Sequence, residues 1–432
     1  MMFFLLRRLC YCLLGLAFIS PAVMANAALI IDEIRFVGNE KTLSIVMLQE
    51  MQVKAGDPVD LLLIENDRQA IMDLRLFKFV YADVIDIENR QVLQIMVSEK
   101  YYIFPLPRLN RSADGDISYG VRLKMDNLGG LNQRLRLTYK KVDGCCDTLG
   151  KSNEFYISYD YPRIAGSPFG LRVGMRYSDT PVEDKTIKGI TSTYSRDYRA
   201  FNFSINRWLR KDSPSAGWAV NAGPFWREAK YNYESGQPDL YSDGVSVGLD
   251  LGITYGRIHD YLYSREGTEY GYSIQIGARA LGSDETFTQN NFYYRRYHYL
   301  NGERHHNLNA QFLMGFAGGR RPLSGDFFTV GGSSTLRGYE KGAFTGESFF
   351  ALNLEYLSPI RGNFDSRGVL FVDLGNAYND NRTIDMTDLK SSAGFGLRYK
   401  VKSFMNVDLR FDAAYAFDIK DVAVYFSSRG MF

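Results

Sequence analysis

The four histidines, His259, His298, His305 and His306, have neither metal-ligand nor catalytic-triad spacing. His305-His306 reads as a solvated turn. No nucleophile elbow, phosphate loop or calcium-loop pattern occurs, so no enzyme, metal or cofactor is expected. Cys145 and Cys146 are adjacent in a predicted loop. A vicinal disulfide there and a pair without a role both remain open. The residues with something to do are charged and sit among apolar neighbours. Asp373 lies in Phe371-Val372-Asp373-Leu374-Gly375, and Glu355 alternates with Phe350, Leu352, Leu354 and Tyr356. In a strand, alternation puts each carboxylate on the face opposite the large apolar side chains. Arg337 stands in Val330-Gly331-Gly332-Ser333-Ser334-Thr335-Leu336-Arg337-Gly338-Tyr339, within a long segment from about Gly318 to Thr345 that reads as a loop.

The elements that hold these groups have a period of two. Val245, Val247, Leu249, Leu251 and Ile253 share one face, against Ser246, Gly248, Asp250 and Gly252. Similar alternation recurs at 169–177, 307–316 and 406–415. The apolar faces run for about ten residues, the length of a tilted membrane-spanning strand. In lipid such a sheet must close, because an open edge leaves polar groups unpaired. Sixteen such strands are read, from a first at 101–110 to a last at 421–432, with short turns on one side and longer loops such as Ser178 to Ser192 on the other. Pro105 and Pro107 interrupt the first strand and cannot donate ladder hydrogen bonds.

Composition agrees. Tyr and Phe number 30 and 29, while mean hydropathy is only −0.23. Lys and Arg total 51 against 49 Asp and Glu, and without Arg7 and Arg8 the balance is 49 to 49, which argues against a nucleic-acid partner. Residues 1–27 read as a signal peptide: Arg7-Arg8, a short apolar run from Leu9 to Ile19, and Ala25-Asn26-Ala27 before the cut.

Residues 28–100 form a different unit, read as β-α-α-β-β. A strand with Ile30, Ile34 and Phe36 ends at Gly38-Asn39. Thr42 is the expected N-cap of a helix carrying Leu43, Val46, Met47 and Met51. A second helix has Leu62, Ile64, Ala70, Ile71 and Leu74 as its apolar positions. Two strands, Val80 to Ile87 and Val92 to Val97, follow around Glu88-Asn89-Arg90. The fold class is thus mainly β, a 16-stranded antiparallel transmembrane β-barrel (residues 101–432) behind one small α+β domain.

The order of elements, Ile34-Arg35-Phe36-Val37-Gly38-Asn39 and Leu74-Arg75-Leu76-Phe77 resemble a POTRA domain, the module of the superfamily of BamA, TamA and the two-partner secretion transporters. The Leu336-Arg337-Gly338-Tyr339 segment resembles the superfamily's loop-six motif, with Leu336 where the family form usually has Val. Val424, Phe426 and Phe432 resemble a C-terminal assembly signal, with Gly430 in place of the usual aromatic. The resemblance implies an Arg337–Asp373 pair inside the lumen, with Glu355 beside it, and a client-binding strand edge at Val80, Tyr81 and Val84. It implies a weak seam between Tyr101 to Leu109 and Val422 to Phe432, marked by Pro105, Pro107, Phe426 and Phe432. The domain follows the leader directly, so a reduced member with one POTRA domain and no plug helix is expected.

The implied task is insertion or translocation of a limited set of proteins at the bacterial outer membrane, with the N-terminal domain in the periplasm. Its partners would be membrane lipids, an unfolded or extended client, and a partner chain left open. The rival reading is a passive solute channel or a surface barrel. Arg122, Lys124, Arg134, Arg136, Arg172 and Arg176 face Asp250, Glu355, Asp373, Asp408 and Asp412 across the expected lumen, a field that suits a pore.

Overall fold

The computed structural model describes residues 29–111, 117–143, 152–186, 189–209, 216–238, 240–300, 302, 305–320, 323, 327–379, 385–405 and 407–427. The leader, Cys145, Cys146, Gly430 and Phe432 lie outside the described residues.

The N-terminal domain runs β1 (Glu33–Val37), α1 (Ser44–Leu48), α2 (Leu61–Asp73), β2 (Phe77–Ile87) and β3 (Arg90–Glu99). Its sheet has the order β1-β3-β2, with β1 parallel and β2 antiparallel to β3. The β2–β3 turn is two residues, Glu88 and Asn89, both at positive φ, the conformation whose twist suits a tight hairpin. Gly38 has φ +89°, and a Cβ there would lie 2.1 Å from the Val97 carbonyl oxygen, so only glycine lets β1 exit beside β3.

Two helix expectations need correction. The first helix is a single short turn whose N-cap is Leu43, without a side-chain cap bond, and Thr42 instead bonds the Tyr102 hydroxyl. Leu62 is 73% exposed rather than buried, because Asp60 caps α2 and turns its first residues outward. The core comprises Ile31, Met47, Ile71, Leu76, Phe77, Leu93 and Ile95. Buried Asp67 accepts from the amides of Gln52 (2.9 Å) and Val53 (2.9 Å), holding the chain after α1 against α2. Asp67→Ala strands both buried amides and is expected to cost the domain about 2 kcal/mol. Hydrogen exchange at Gln52 and Val53 in the full chain checks this; unchanged protection would refute it.

Sixteen strands form one antiparallel sheet: β4 (Ile103–Arg111), β5 (Ile117–Leu128), β6 (Gln133–Asp143), β7 (Ser152–Tyr161), β8 (Phe169–Thr186), β9 (Gly189–Trp208), β10 (Gly217–Gly236), β11 (Gly244–Asp260), β12 (Arg265–Gly277), β13 (Phe287–Tyr299), β14 (Asn307–Gly319), β17 (Ser348–Ile360), β18 (Asn363–Tyr378), β19 (Lys390–Lys400), β20 (Asp408–Ala416) and β21 (Asp421–Ser427). Each pairs with its chain neighbour, β14 with β17 across the long loop. That loop carries its own hairpin, β15 (Phe328–Val330) with β16 (Phe344–Gly346). Where a loop is expected over residues 178–192, residues 178–186 and 189–192 are strand. β8 and β9 stay paired from Asp179↔Asp197 to Thr186↔Gly189, because main-chain pairing can run on along a hairpin through polar residues that show no apolar alternation.

The sheet is not closed by a ladder between β4 and β21 among the described residues. The start of β4 is held another way. The Tyr101 amide donates to the Ser403 carbonyl (2.8 Å) and the Met405 amide to the Tyr101 carbonyl (3.2 Å), both on the β19–β20 turn. The rings of Phe104 and Phe404 lie 4.4 Å apart.

The N-terminal domain packs on the turns at the same end of the sheet. Met405, Leu131 and Leu262 from three of these turns join its core. Asp73 accepts from the Asp260 amide (2.7 Å), Gln69 donates to the Asp260 carbonyl (3.1 Å), and Arg75 pairs with the Asp260 carboxylate (3.1 Å). On another turn, Arg163 donates to the Gln49 carbonyl (2.7 Å).

Candidate functional site: the seat of the long loop

The long loop between β14 and β17 turns into the lumen and is anchored on two neighbouring stretches of the wall, with Phe349 packed against both. On one, Phe327 and Phe328 pack with Phe225, Phe287 and Ala317, side chains of β10, β13 and β14. Gly315 makes room for this: a Cβ there would sit 2.6 Å from the Phe328 ring. On the other lies Arg337, fully buried.

Asp373, on β18, receives the guanidinium through two parallel bonds, Nε to Oδ2 at 2.6 Å and Nη2 to Oδ1 at 2.7 Å. The Arg337 amide also donates to Asp373 (3.1 Å). The third nitrogen, Nη1, reaches Glu355 on β17 (2.7 Å) and Asp412 on β20 (3.1 Å). The guanidinium carbon lies 3.5 Å from the centre of the Phe371 ring, a cation–π contact strengthened by the absence of water. Gly394 on β19 creates that space, since a Cβ there would come within 2.5 Å of the Phe371 ring.

Two further arginines complete the cluster. Arg398 donates to Glu355 (2.8 Å) and to Asp412 (2.5 Å), and Arg410 donates to Asp412 (2.5 Å). Three guanidinium groups thus meet three carboxylates, Glu355, Asp373 and Asp412. The total charge of the site is zero, which is how six buried ionised groups can coexist. Asn353 donates to both Asp373 (2.9 Å) and the Thr335 carbonyl (2.6 Å), tying loop to wall.

The neighbouring loop residues are equally engaged. Leu336 is fully buried against Val330, Tyr339 and Ala416. Gly338 has φ +92°, and a Cβ there would lie 3.1 Å from Ala416. Tyr339 directs its hydroxyl to Asp418, in the β20–β21 turn, and to the Ser391 carbonyl (3.1 Å).

The structure therefore brings Arg337, Asp373 and Glu355 together with Asp412, expected on the same acidic wall, and with Arg398, Arg410 and Phe371, which nothing local in the sequence joins to them. Their one legible signal is inward placement on strands near the chain's end. The cationic wall is also partly neutralised by carboxylates the sequence reading did not count: Asp126 pairs with Arg136, Asp160 with Arg134 and Arg172, and Glu154 with Lys140 and Arg176.

Residues 127–423 match the Omp85 superfamily domain, and residues 29–100 match the POTRA family, described as a surface antigen variable number repeat. The chain belongs to the Omp85 superfamily. It is 21% identical over 413 residues to the outer membrane protein assembly factor BamA of Nitratidesulfovibrio vulgaris, covering 90% of this chain and 49% of that protein. The chain thus spans about half the length of that curated relative. In fold it is similar to CdiB from Escherichia coli (TM-score 0.64, 13% identity, 92% of this chain and 75% of that one). It is also similar to BamA from Haemophilus ducreyi lacking POTRA domains 1–3 (TM-score 0.54, 16% identity, 92% and 84%).

Within this Omp85 protein the remaining predicted positions fall at two strand edges. Val80, Tyr81 and Val84 lie on β2, an outer strand of the POTRA sheet. Val80 is buried, Val84 half-buried and Tyr81 exposed. Counting back from the two-residue turn, the main-chain groups of Val80, Ala82, Val84 and Asp86 point to the free side. Two of these groups have partners within the chain: Arg68 donates to the Val80 carbonyl (3.3 Å), and Asp83 accepts from the Val84 amide (2.9 Å).

Pro105 and Pro107 sit in β4, paired with Leu123 and Val121. The Tyr102 carbonyl accepts from Asp126 next to β5 (2.7 Å), so even-numbered residues of β4 bond β5 and odd-numbered ones face the unpaired side. Both prolines therefore place their missing N–H groups on the free edge and leave the β4–β5 ladder intact. Phe426 lies on β21 and is 62% exposed.

Proposed function

We propose that this chain assists the insertion or translocation of a limited set of proteins into or across the outer membrane. Its POTRA domain lies in the periplasm and offers the β2 edge to an extended client, whose backbone adds as a further strand. The client then passes along a seam between β4 and β21. The observation that carries this reading is the unpaired side of β4. Its two prolines delete donors there and nowhere else, so closure against the last strand is thinned while the barrel wall is kept. The relative named as an outer membrane protein assembly factor supports the same class of task. A loop held inside the lumen by a buried aromatic cluster and an ion-pair cluster favours a plugged translocator over an open solute channel. No covalent chemistry is assigned to the site; its ion pairs hold a loop.

Depletion followed by outer-membrane proteomics tests this. Loss of one protein or a small group is the expected result, and an unchanged protein profile with altered solute uptake would overturn it. Pro105→Ile combined with Pro107→Ile returns two N–H donors to the free edge. Cross-linking between cysteines on β4 and β21 is expected to rise and client levels to fall. Complete cross-linking in the wild-type protein, with client levels undiminished, would remove the seam from the proposal.

A further inference from the structure

We infer that Tyr425 is a positioning residue that couples the seated loop tip to the last strand. Strand β21 is held by β20 alone among the described strands, over Arg410↔Ser427 to Ala416↔Asp421. Tyr425 stands opposite Asp412 in that ladder and points into the lumen. Its hydroxyl accepts from the Gly338 amide (3.0 Å) and donates to the Tyr339 carbonyl (2.9 Å). Both hydrogen-bonding functions of one hydroxyl are thus used on two consecutive residues of the loop motif. Its ring packs on the cluster containing Phe371, the ring beneath Arg337.

The three motif residues divide the work. Arg337 binds β17, β18 and β20 through its ion pairs. The backbone of Gly338 and Tyr339 binds β21 through Tyr425. The Tyr339 hydroxyl binds the β20–β21 turn through Asp418. Gly338, at positive φ, donates its amide to Tyr425, while the Arg337 guanidinium is held by its carboxylates over the Phe371 ring. When the tip is seated, β21 has polar ties on its lumen face in addition to one ladder. When the tip lifts, those ties go together, and β21 is left with its ladder to β20 and the packing of the Tyr425 ring. Release of the arginine therefore loosens a strand that the arginine does not touch. This rests on the proposed function only for what a loosened β21 edge is used for, namely pairing with a client strand.

Hydrogen exchange over residues 421–427 of the full chain in detergent micelles tests the coupling. Tyr425→Phe is expected to raise exchange there about tenfold, the worth of roughly one net hydrogen bond. Arg337→Lys, which keeps the charge but loses the planar fork, is expected to raise it as well. The double variant should exchange no faster than the faster single one, because both changes break one linked arrangement. Wild-type exchange in Tyr425→Phe, or effects that add fully in the double variant, would overturn the inference. This readout is separate from client loss: a failed proteomic test leaves the exchange result standing, and the reverse also holds.

Discussion

Arg337→Ala is expected to destabilise the barrel by about 3–5 kcal/mol, the cost of stripping one partner from a buried ion pair. The geometry puts it in this range. Arg337 is fully buried, its fork is matched by both oxygens of Asp373, and its third nitrogen serves two more carboxylates. Without it, Asp373 keeps Asn353 as a described side-chain donor, and the cluster holds three carboxylates against two guanidinium groups. The loop then loses these ion pairs and is left with its aromatic anchor at Phe327 and Phe328, buried Leu336 and the hydrogen bonds of Gly338 and Tyr339. Thermal unfolding followed by circular dichroism, with hydrogen exchange over residues 327–346, measures both effects. Arg337→Lys should fall between wild type and alanine, since an ammonium cannot span both oxygens of Asp373 and reach Glu355 together. A wild-type unfolding curve for Arg337→Ala would refute the argument.

Asp412→Asn is expected to cost a comparable amount, by the opposite imbalance. Asp412 is shared by all three arginines, at 3.1, 2.5 and 2.5 Å. Neutralising it leaves three guanidinium groups with two carboxylates in a site closed to water. A buried net charge is penalised whichever its sign, so about 3–5 kcal/mol is again expected. Neutrality can be tested apart from the individual contacts. Among the described ion pairs Arg410 meets only Asp412, so Arg410→Gln added to Asp412→Asn restores two charges against two. The double variant should be more stable than Asp412→Asn alone, a coupling that a double-mutant cycle reads directly. If the second substitution lowers stability further, the individual hydrogen bonds, and not the charge balance, hold the site.

The groups of this cluster differ in how visible they are in the sequence. Asp373 and Glu355 were legible as inward-facing because alternation is a local property: a carboxylate between large apolar neighbours in a strand faces away from them. Arg337 was legible through its motif. Arg398 and Arg410 alternate just as clearly, yet nothing local distinguishes them from the many lumen-facing arginines on earlier strands. The same limit applies at β8 and β9, where pairing runs on through a polar stretch that carries no apolar alternation to mark it. In the N-terminal domain, the exposed Leu62 follows a cap at Asp60 that competes with apolar spacing.

The sequence by itself determined which side of the wall each side chain takes, the strand order along the chain, the small domain ahead of it, and the prolines of β4. A period of two and a missing N–H act within one or two residues, so they need no knowledge of the rest. Only the tertiary structure decided which inward groups stand at one height, that Asp412 serves three arginines, that Tyr425 meets the loop tip, and that both prolines face the unpaired edge. Those facts depend on inter-strand register and on how a loop of nearly thirty residues folds back. Register is a sum over every hairpin in the sheet, and its outcome is fixed by the whole barrel rather than by any segment of it.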